Sequence, residues 1–526
     1  MNIFKIIILI FITHTNFLFP CQIESLSLRQ KIGRLIIAAA VSNEDRNQEF
    51  MRTQPYHMEK KHLDELITKY HIGGVIFLGT CHTDELVNII THYQTLSKNS
   101  LLMALDAEWP AMRLKNLDPA LQLPHHMTLG ALQDNSLVEK AAYINGKILQ
   151  NLGVHMNFAP VADVNNNDQN PVINDRSFGS DPQRVAQKVI AFAKGLQNAG
   201  IVSCAKHFPG HGDTAIDSHY GLPVISHNRD RLDAIELVPF RAAIAAEVPA
   251  IMTAHIHLPG LETQPNTPAT LSKNIITNLL RKELGFNGLI ITDGLGMKGV
   301  IDHLEPGELE VRALEAGADI LLCPVDVPKA IDAIEKAIYE KRIHQEEIDE
   351  KVMRVLKAKK WAFENNSNTQ KQNIFSRSSR SSEASRGIRT KNMVNSSIHT
   401  NEAQWQELIQ ESAQLKKLLY QKAITIAQDN SNNNPEIIVQ LQNMNKFKNK
   451  NFGISDKMLQ NLAQLKMESV KRSKVTIVLY GSPYAVELIK DYADRVIVAY
   501  EDDPNAHAAV QDIIAGALKA EGTMPV

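Results

Sequence analysis

Eight short apolar runs, separated by longer amphipathic stretches, constrain the fold of this chain more than any other feature. The runs are 36–40 (IIAAA), 74–79 (GVIFLG), 101–106 (LLMALD), 156–160 (MNFAP), 202–207 (VSCAKH), 251–255 (IMTAH), 289–293 (LIITD) and 319–324 (DILLCP). Each is too short for a helix and mostly apolar, the pattern of strands buried on both faces of a parallel sheet. The gaps hold helical patterns such as Val138–Leu152 and Pro182–Ala199. Eight such repeats predict an α/β fold built on a (β/α)8 barrel of the TIM type. A doubly wound open sheet is the alternative, and the sequence has no glycine-rich phosphate loop to support it.

The ends of the runs carry the chemistry. Asp106, Lys206, His207, His255 and Asp293 each stand at or beside the C-terminal end of a run. In a barrel those ends converge on one face, where active sites are built. One aspartate after a strand reads as a helix cap; several, together with one dense loop, do not. That loop is 202–219, VSCAKHFPGHGDTAIDSH, in which residues 206–219 hold one Lys, three His and two Asp. A surface loop has no use for such density, and a core strand cannot bury it unpaired. Asp217 and His219 stand two apart, a spacing that lets a carboxylate orient and charge an imidazole.

No metal-binding pattern is present. His207 and His211 are four apart but lie across Pro209–Gly210, which excludes helical ligand pairing. No Gly-x-Ser-x-Gly elbow occurs either. Carboxylate chemistry with an Asp–His pair remains. Glycoside hydrolysis needs one group to protonate the leaving oxygen and another at the anomeric carbon. Asp293 is placed to be the nucleophile, and His219 to be acid and base with Asp217 fixing its tautomer.

A chain of 526 residues is too long for one ordinary core, so two domains are expected. Its 56 basic residues balance 58 acidic ones, which gives no electrostatic reason to expect a nucleic-acid partner. Cys21, Cys81, Cys204 and Cys323 are scattered without metal or disulfide spacing, and the last three read as buried thiols. In residues 1–21, Lys5 precedes an apolar run, Ile6–Ile12, too short to span a bilayer, as in an export signal. An exported protein of the periplasm or cell envelope is therefore expected, touching a membrane only through a lipid at Cys21 or an uncleaved leader. The barrel is expected over 26–362, ending in an amphipathic helix, Glu346–Trp361. Residues 363–401, rich in Ser and Asn, read as a flexible linker or insertion. Beyond it, a helix around 402–427, strands near 436–441, 475–480 and 495–500, and helices over 455–467, 484–492 and 506–519 suggest a small α/β unit.

Taken together these motifs resemble a known family. KHFPGHGDTAIDSH (206–219) is similar to the signature of bacterial β-N-acetylglucosaminidases of glycoside hydrolase family 3. The likeness continues through NFAPVADVN (157–165), RSFGSDP (176–182), MTAHI (252–256) and GFNGLIITDGLGM (285–297), and covers 26–362 almost without interruption. Residues 402–526 resemble the second, α/β sandwich domain of two-domain members, including YGSPYA (480–485) and VAYED (498–502). The resemblance implies a retaining, two-step mechanism in which Asp293 forms a glycosyl-enzyme intermediate, His219 is acid and base, and Asp217 is its dyad partner. It implies that Arg176, Lys206 and His207 bind the non-reducing N-acetylglucosamine, that Asp106 grips sugar hydroxyls, and that Asp163 and Met297 belong to the pocket wall. Small glycans, N-acetylglucosaminides and muropeptides, are the implied substrates; no metal or cofactor is implied. One stretch departs from the family. In DAEWPAMRL (106–114), Arg113 comes seven residues after Asp106 where most members have an arginine at eight, and Trp109–Pro110 stand where they have glycines. Arg113 is the sugar contact that this departure touches. No third, serine-hydrolase-like domain is expected. Two other readings compete: a β-N-acetylglucosaminide phosphorylase using the same residues, and a non-catalytic sugar-binding protein on the same barrel.

Overall fold

All eight apolar runs become parallel strands of one sheet that closes on itself. The strands are β1 (Ile36–Val41), β2 (Gly74–Leu78), β3 (Leu102–Leu105), β4 (Met156–Asn157), β5 (Val202–Phe208), β6 (Ala250–Thr253), β7 (Leu289–Thr292) and β8 (Leu321–Leu322). They pair in the order β8-β1-β2-β3-β4-β5-β6-β7. A parallel bridge between Ile291 and Ile320 shuts the ring. The structure, a computed structural model, describes residues 23–42, 60–215, 217–218, 221–301, 304–375, 402–430, 435–469 and 473–526. The expected leader, 1–21, lies outside the described residues.

Among the described residues each strand is followed by at least one helix, the main ones being α1 (Lys60–Lys69), α2 (Thr83–Leu96), α3 (Asn135–Asn151), α4 (Pro182–Asn198), α5 (Leu237–Ala245), α6 (Asn274–Glu283), α7 (Glu308–Ala316) and α8 (Val327–Tyr339). Their starts are written in the sequence. Asp134, Asp181 and Asp326 each accept a first-turn N–H, and Pro182 and Pro328 stand where no helical donor is needed. The apolar stripe of α4, including Val185, Val189, Phe192 and Leu196, is buried. Each such side chain contributes about 1.5–3 kcal/mol on leaving water. α3 and α4 approach so closely that a β-carbon on Gly195 would stand 2.2 Å from the Glu139 carbonyl oxygen.

Two boundaries differ from expectation. β4 spans two residues rather than 156–160, because Pro160 brings no N–H to a ladder. The helix expected over 346–361 is α9 (Gln345–Phe375), which runs on through the first part of the expected linker. No Pro or Gly interrupts 345–375, so the backbone has no reason to stop. Residues 376–401 lie outside the described residues. Under the barrel, α9 donates from Lys351 Nζ to the Ala318 carbonyl and from Lys359 Nζ to the Ser100 carbonyl, each at 2.8 Å.

After α10 (Glu402–Ala423), a second sheet forms from β9 (Thr425–Asp429), β10 (Glu436–Leu441), β11 (Lys474–Leu479) and β12 (Arg495–Val498), in the order β9-β12-β11-β10. The helix expected over 402–427 ends four residues early, and β9 is an unforeseen strand, antiparallel to β12. Thr425 and Ile426 are β-branched and fit the sheet edge better than a last helical turn. Tyr420, Ile424, Val478, Ile497 and Val510 fill one side of the sheet, beneath α10 and α11 (Pro504–Ile514). This unit sits against the barrel's loops. Tyr484 accepts from Asn165 Nδ2 at 2.8 Å, Lys446 pairs with Asp175 at 2.9 Å, and Ser180 N donates to Pro525 O at 2.8 Å.

Candidate active site

Past β3 the chain presents two carboxylates, Asp106 and Glu108, whose side chains leave on the same side because they are two apart in non-helical backbone. Across the barrel mouth, Lys206 in β5 places its Nζ 2.7 Å from Asp106 Oδ1 and 2.9 Å from Glu108 Oε1. Arg176, from the loop after β4, closes on Glu108 from the other side, with Nη2 donating to Oε1 at 2.6 Å and Nε to Oε2 at 3.0 Å. Glu108 has no exposed side-chain surface. Burial by itself raises its carboxyl, but the charges of Arg176 and Lys206 outweigh that and hold it well below the usual carboxylate range. Burial likewise opposes the Lys206 ammonium; Asp106 and Glu108 reverse this and lift its pKa above the ordinary value. Glu108, Arg176 and Lys206 are therefore charged at neutral pH, and with Asp106 they form a frame of donors and acceptors.

Arg113 rejoins Asp106 despite the shortened spacing. The turn Pro110–Met112 is a 3-10 helix, and it brings Arg113 Nη2 to 3.7 Å from Asp106 Oδ2. Trp109, at the start of that turn, stacks on His125 with ring centroids 3.8 Å apart.

Asp163 does more than line a wall. Its side chain is wholly buried, with Oδ2 2.7 Å from His207 Nδ1 and Oδ1 accepting from the N–H of His207 at 3.1 Å and of His211 at 2.7 Å. It thereby anchors the loop that follows β5. Gly212 lies so close to the β4 extension that a β-carbon there would stand 1.8 Å from the Val164 carbonyl oxygen. Within the loop, His211 has both ring nitrogens engaged, by Thr214 Oγ1 at 2.8 Å and Ser218 Oγ at 3.1 Å. Burial, helped by the His207 charge, lowers its pKa to about 4, so it is neutral at physiological pH.

Asp293 follows β7 directly. Its N–H donates to the Thr253 carbonyl at 3.1 Å, and its Oδ1 accepts from Gly294 N–H at 2.7 Å. Those two bonds fix both backbone and carboxylate. His255, after β6, stands beside it, with Nε2 3.0 Å from the Gly294 carbonyl. Met297 is buried four residues further on. The loop from β5 reaches this neighbourhood: the Ser218 carbonyl accepts from Gly299 N–H at 3.0 Å. Asp217, half-buried, precedes that tether. His219 lies outside the described residues.

The structure thus gathers Asp106, Arg113, Arg176 and Lys206 into one cluster connected through Glu108, ties the neighbouring His207 to Asp163, and sets Asp293 and Met297 at the same end of the barrel. Glu108 was missed by sequence reasoning, although its two-residue spacing from Asp106 was the available signal. Among the described residues one group has metal-ligand geometry: Asp213, His227 and Glu236, with ligand atoms within 4.8 Å of one another. Arg231 already supplies its positive charge, with Nη1 2.8 and 2.7 Å from the two Glu236 oxygens.

Comparison with known proteins finds relatives of this chain in sequence and in fold. The family model described as the glycosyl hydrolase family 3 N terminal domain matches residues 27–358. Beta-hexosaminidase A of Pseudoalteromonas piscicida is 36% identical over 326 residues, which cover 56% of this chain and 54% of that protein. The beta-N-acetylglucosaminidase/beta-glucosidase of Cellulomonas fimi is 30% identical over 312 residues, 58% of this chain and 55% of that protein. The chain thus spans about half the length of these two curated relatives. A solved glycoside hydrolase family 3 beta-N-acetylglucosaminidase from Paenibacillus sp. str. FPU-7 superposes with a TM-score of 0.71 at 27% identity, covering 95% of this chain and 99% of the other.

Proposed function

The chain belongs to glycosyl hydrolase family 3, and on that premise we propose that it is a retaining exo-β-N-acetylglucosaminidase. Its substrates are peptidoglycan or chitin-type fragments, from which it releases the terminal non-reducing N-acetylglucosamine. The observation that carries this reading is that Asp293, after β7, and the Asp106–Lys206–Glu108–Arg176 frame, beside the ends of β3 and β5, stand at the same end of one barrel. Relatives named beta-hexosaminidase and beta-N-acetylglucosaminidase support it.

In the first step an Asp293 oxygen bonds to the anomeric carbon while the bond to the leaving oxygen breaks, and His219 gives that oxygen its proton. In the second, water attacks the anomeric carbon, His219 takes the water's proton, and the Asp293 ester bond breaks. Asp217 orients His219 and stabilises its charged form. Asp106, Arg113, Arg176, Lys206 and His207 hold the sugar, and Met297 packs against it. Catalysis lies within 26–362; residues 402–526 support the barrel and shape the approach to it. The leader over 1–21 directs export to the cell envelope.

Asp293→Ala is expected to lower kcat by at least about 10³-fold with an unchanged melting temperature. A 2-fluoro sugar should label Asp293, and the released sugar should keep its anomeric configuration by NMR. A label on another carboxylate, or inversion, rejects the mechanism. Glycosyl phosphate formed in phosphate buffer would make the enzyme a phosphorylase instead.

A further inference from the structure

A cavity of about 460 Å³ lies where the second sheet unit meets the barrel. It falls within the ~300–1,000 Å³ typical of small-molecule sites. None of Asp106, Lys206, His207 or Asp293 lines it. Two of its lining hydroxyls are orphaned: Tyr480 Oη and Ser482 Oγ are buried and make no hydrogen bond among the described residues. Tyr480 is 2% exposed and Ser482 8%. Ser482 precedes a short helical turn without capping it, so its hydroxyl has no structural duty there. Buried hydroxyls left unpaired cost free energy and point to a partner that the protein does not supply.

The chemistry of that partner follows from the other lining groups. Four carboxylates border the cavity, and each is already engaged by donors of the protein. Asp175 is held by His125 and Lys446, both at 2.9 Å. Glu501 accepts from His125 N–H at 3.0 Å and from the Thr128 hydroxyl. Asp502 pairs with His507 at 2.6 Å, and Asp503 with Lys416 at 2.7 Å. With these carboxylates already accepting hydrogen bonds within the protein, the groups left for a ligand are two neutral hydroxyls, and they call for a neutral, hydroxyl-bearing one. Hydroxyls that both donate and accept suit ligand hydroxyls, and the Tyr480 ring, braced by stacking on His507 at 4.0 Å, offers an aromatic wall. We infer that this interdomain cavity is a second sugar site, for one neutral pyranose, separate from the catalytic centre.

The inference goes beyond the proposed activity and is tested on the full chain by calorimetric and NMR titration with N-acetylglucosamine and with glucose. The readout is the binding lost on the double substitution Tyr480→Phe, Ser482→Ala, not the total number of sites, so it stands apart from the identity of the catalytic substrate. The expected result is one bound sugar fewer per chain, or at least tenfold weaker binding at one site, with turnover of an aryl N-acetylglucosaminide unchanged within twofold. Ser482→Ala alone, which removes one small hydroxyl, should weaken the same site if the double variant is poorly folded. Identical titrations of wild type and both variants would mean that the cavity holds water only, and would overturn the inference.

Discussion

The two ends of the barrel each bury a cluster of charges, and the clusters are built from the same residue types for opposite ends. At the bottom, before β8, Asp319 has no exposed side-chain surface; Oδ2 accepts from Arg281 at 2.6 Å and from Ile290 N–H at 2.8 Å, and Oδ1 from Arg354 at 2.8 Å. Lys351 and Lys359 there donate to backbone carbonyls. Arg281 spends its other donors on the Phe286 and Gly288 carbonyls. The partners are backbone and neighbouring helices, so the cluster ties the barrel floor to α9. At the top, Glu108 is equally buried, but one of its cations, Lys206, also holds Asp106, a carboxylate that stays 17% exposed beside Arg113 at 25%. The lower cluster ends in the fold; the upper one ends in groups presented to whatever enters. This matches the division of a barrel into a stabilising face and a catalytic one.

The largest expected effect breaks the upper cluster. Glu108→Gln keeps the shape but leaves Lys206 and Arg176 facing a neutral amide. kcat/KM should fall by about 10²–10³-fold, roughly 3–4 kcal/mol, because both cations shift and Asp106 loses its alignment. Steady-state kinetics beside a melting curve reads it; a change below threefold would show that the frame does not position the sugar.

Next comes the lower cluster. Asp319→Asn strands Arg281 and Arg354 and should cost about 3 kcal/mol of stability in urea unfolding, with kcat within twofold of wild type. Activity falling as far as in Glu108→Gln would erase the distinction between the two ends.

The smallest effect concerns pH. Burial, with the charge of Arg34 adding to it, pulls the Lys359 pKa from 10.5 down to about 7. The folded chain thus prefers the neutral amine, while the unfolded chain keeps the proton to near pH 10. The stability linked to Lys359 is complete above that range and is lost as pH falls through about 7. Urea midpoints should therefore rise between about pH 7 and pH 9.5, with a shallower rise in Lys359→Met. Parallel slopes in the two proteins would place the titration elsewhere.

Much of this molecule is legible without coordinates. Short apolar runs alternating with amphipathic stretches admit few solutions, and all eight runs are strands because a parallel barrel buries them on both faces. Polar residues at the ends of such runs, Asp106, Lys206, His207 and Asp293, stand out against that background. Local pattern fails where neighbours decide. β9 follows a helical pattern without a break, and only pairing with β12 makes Thr425–Asp429 a strand. α9 continues past Trp361 because nothing in the backbone stops it, although the composition there reads as linker.

The sequence by itself therefore determined the class of fold and the end of the barrel where chemistry gathers, since periodicity and strand-end polarity are local properties of the chain. Tertiary structure alone decided that Glu108 is the buried hub between Lys206 and Arg176, residues 98 and 68 positions away, farther than any motif spans. It also decided that Asp163 anchors the β5 loop, and that a cavity with two orphaned hydroxyls opens between the units. Burial and hydrogen-bond satisfaction depend on which segments meet in space, and a lone carboxylate or hydroxyl in sequence carries no mark of the partner that will face it.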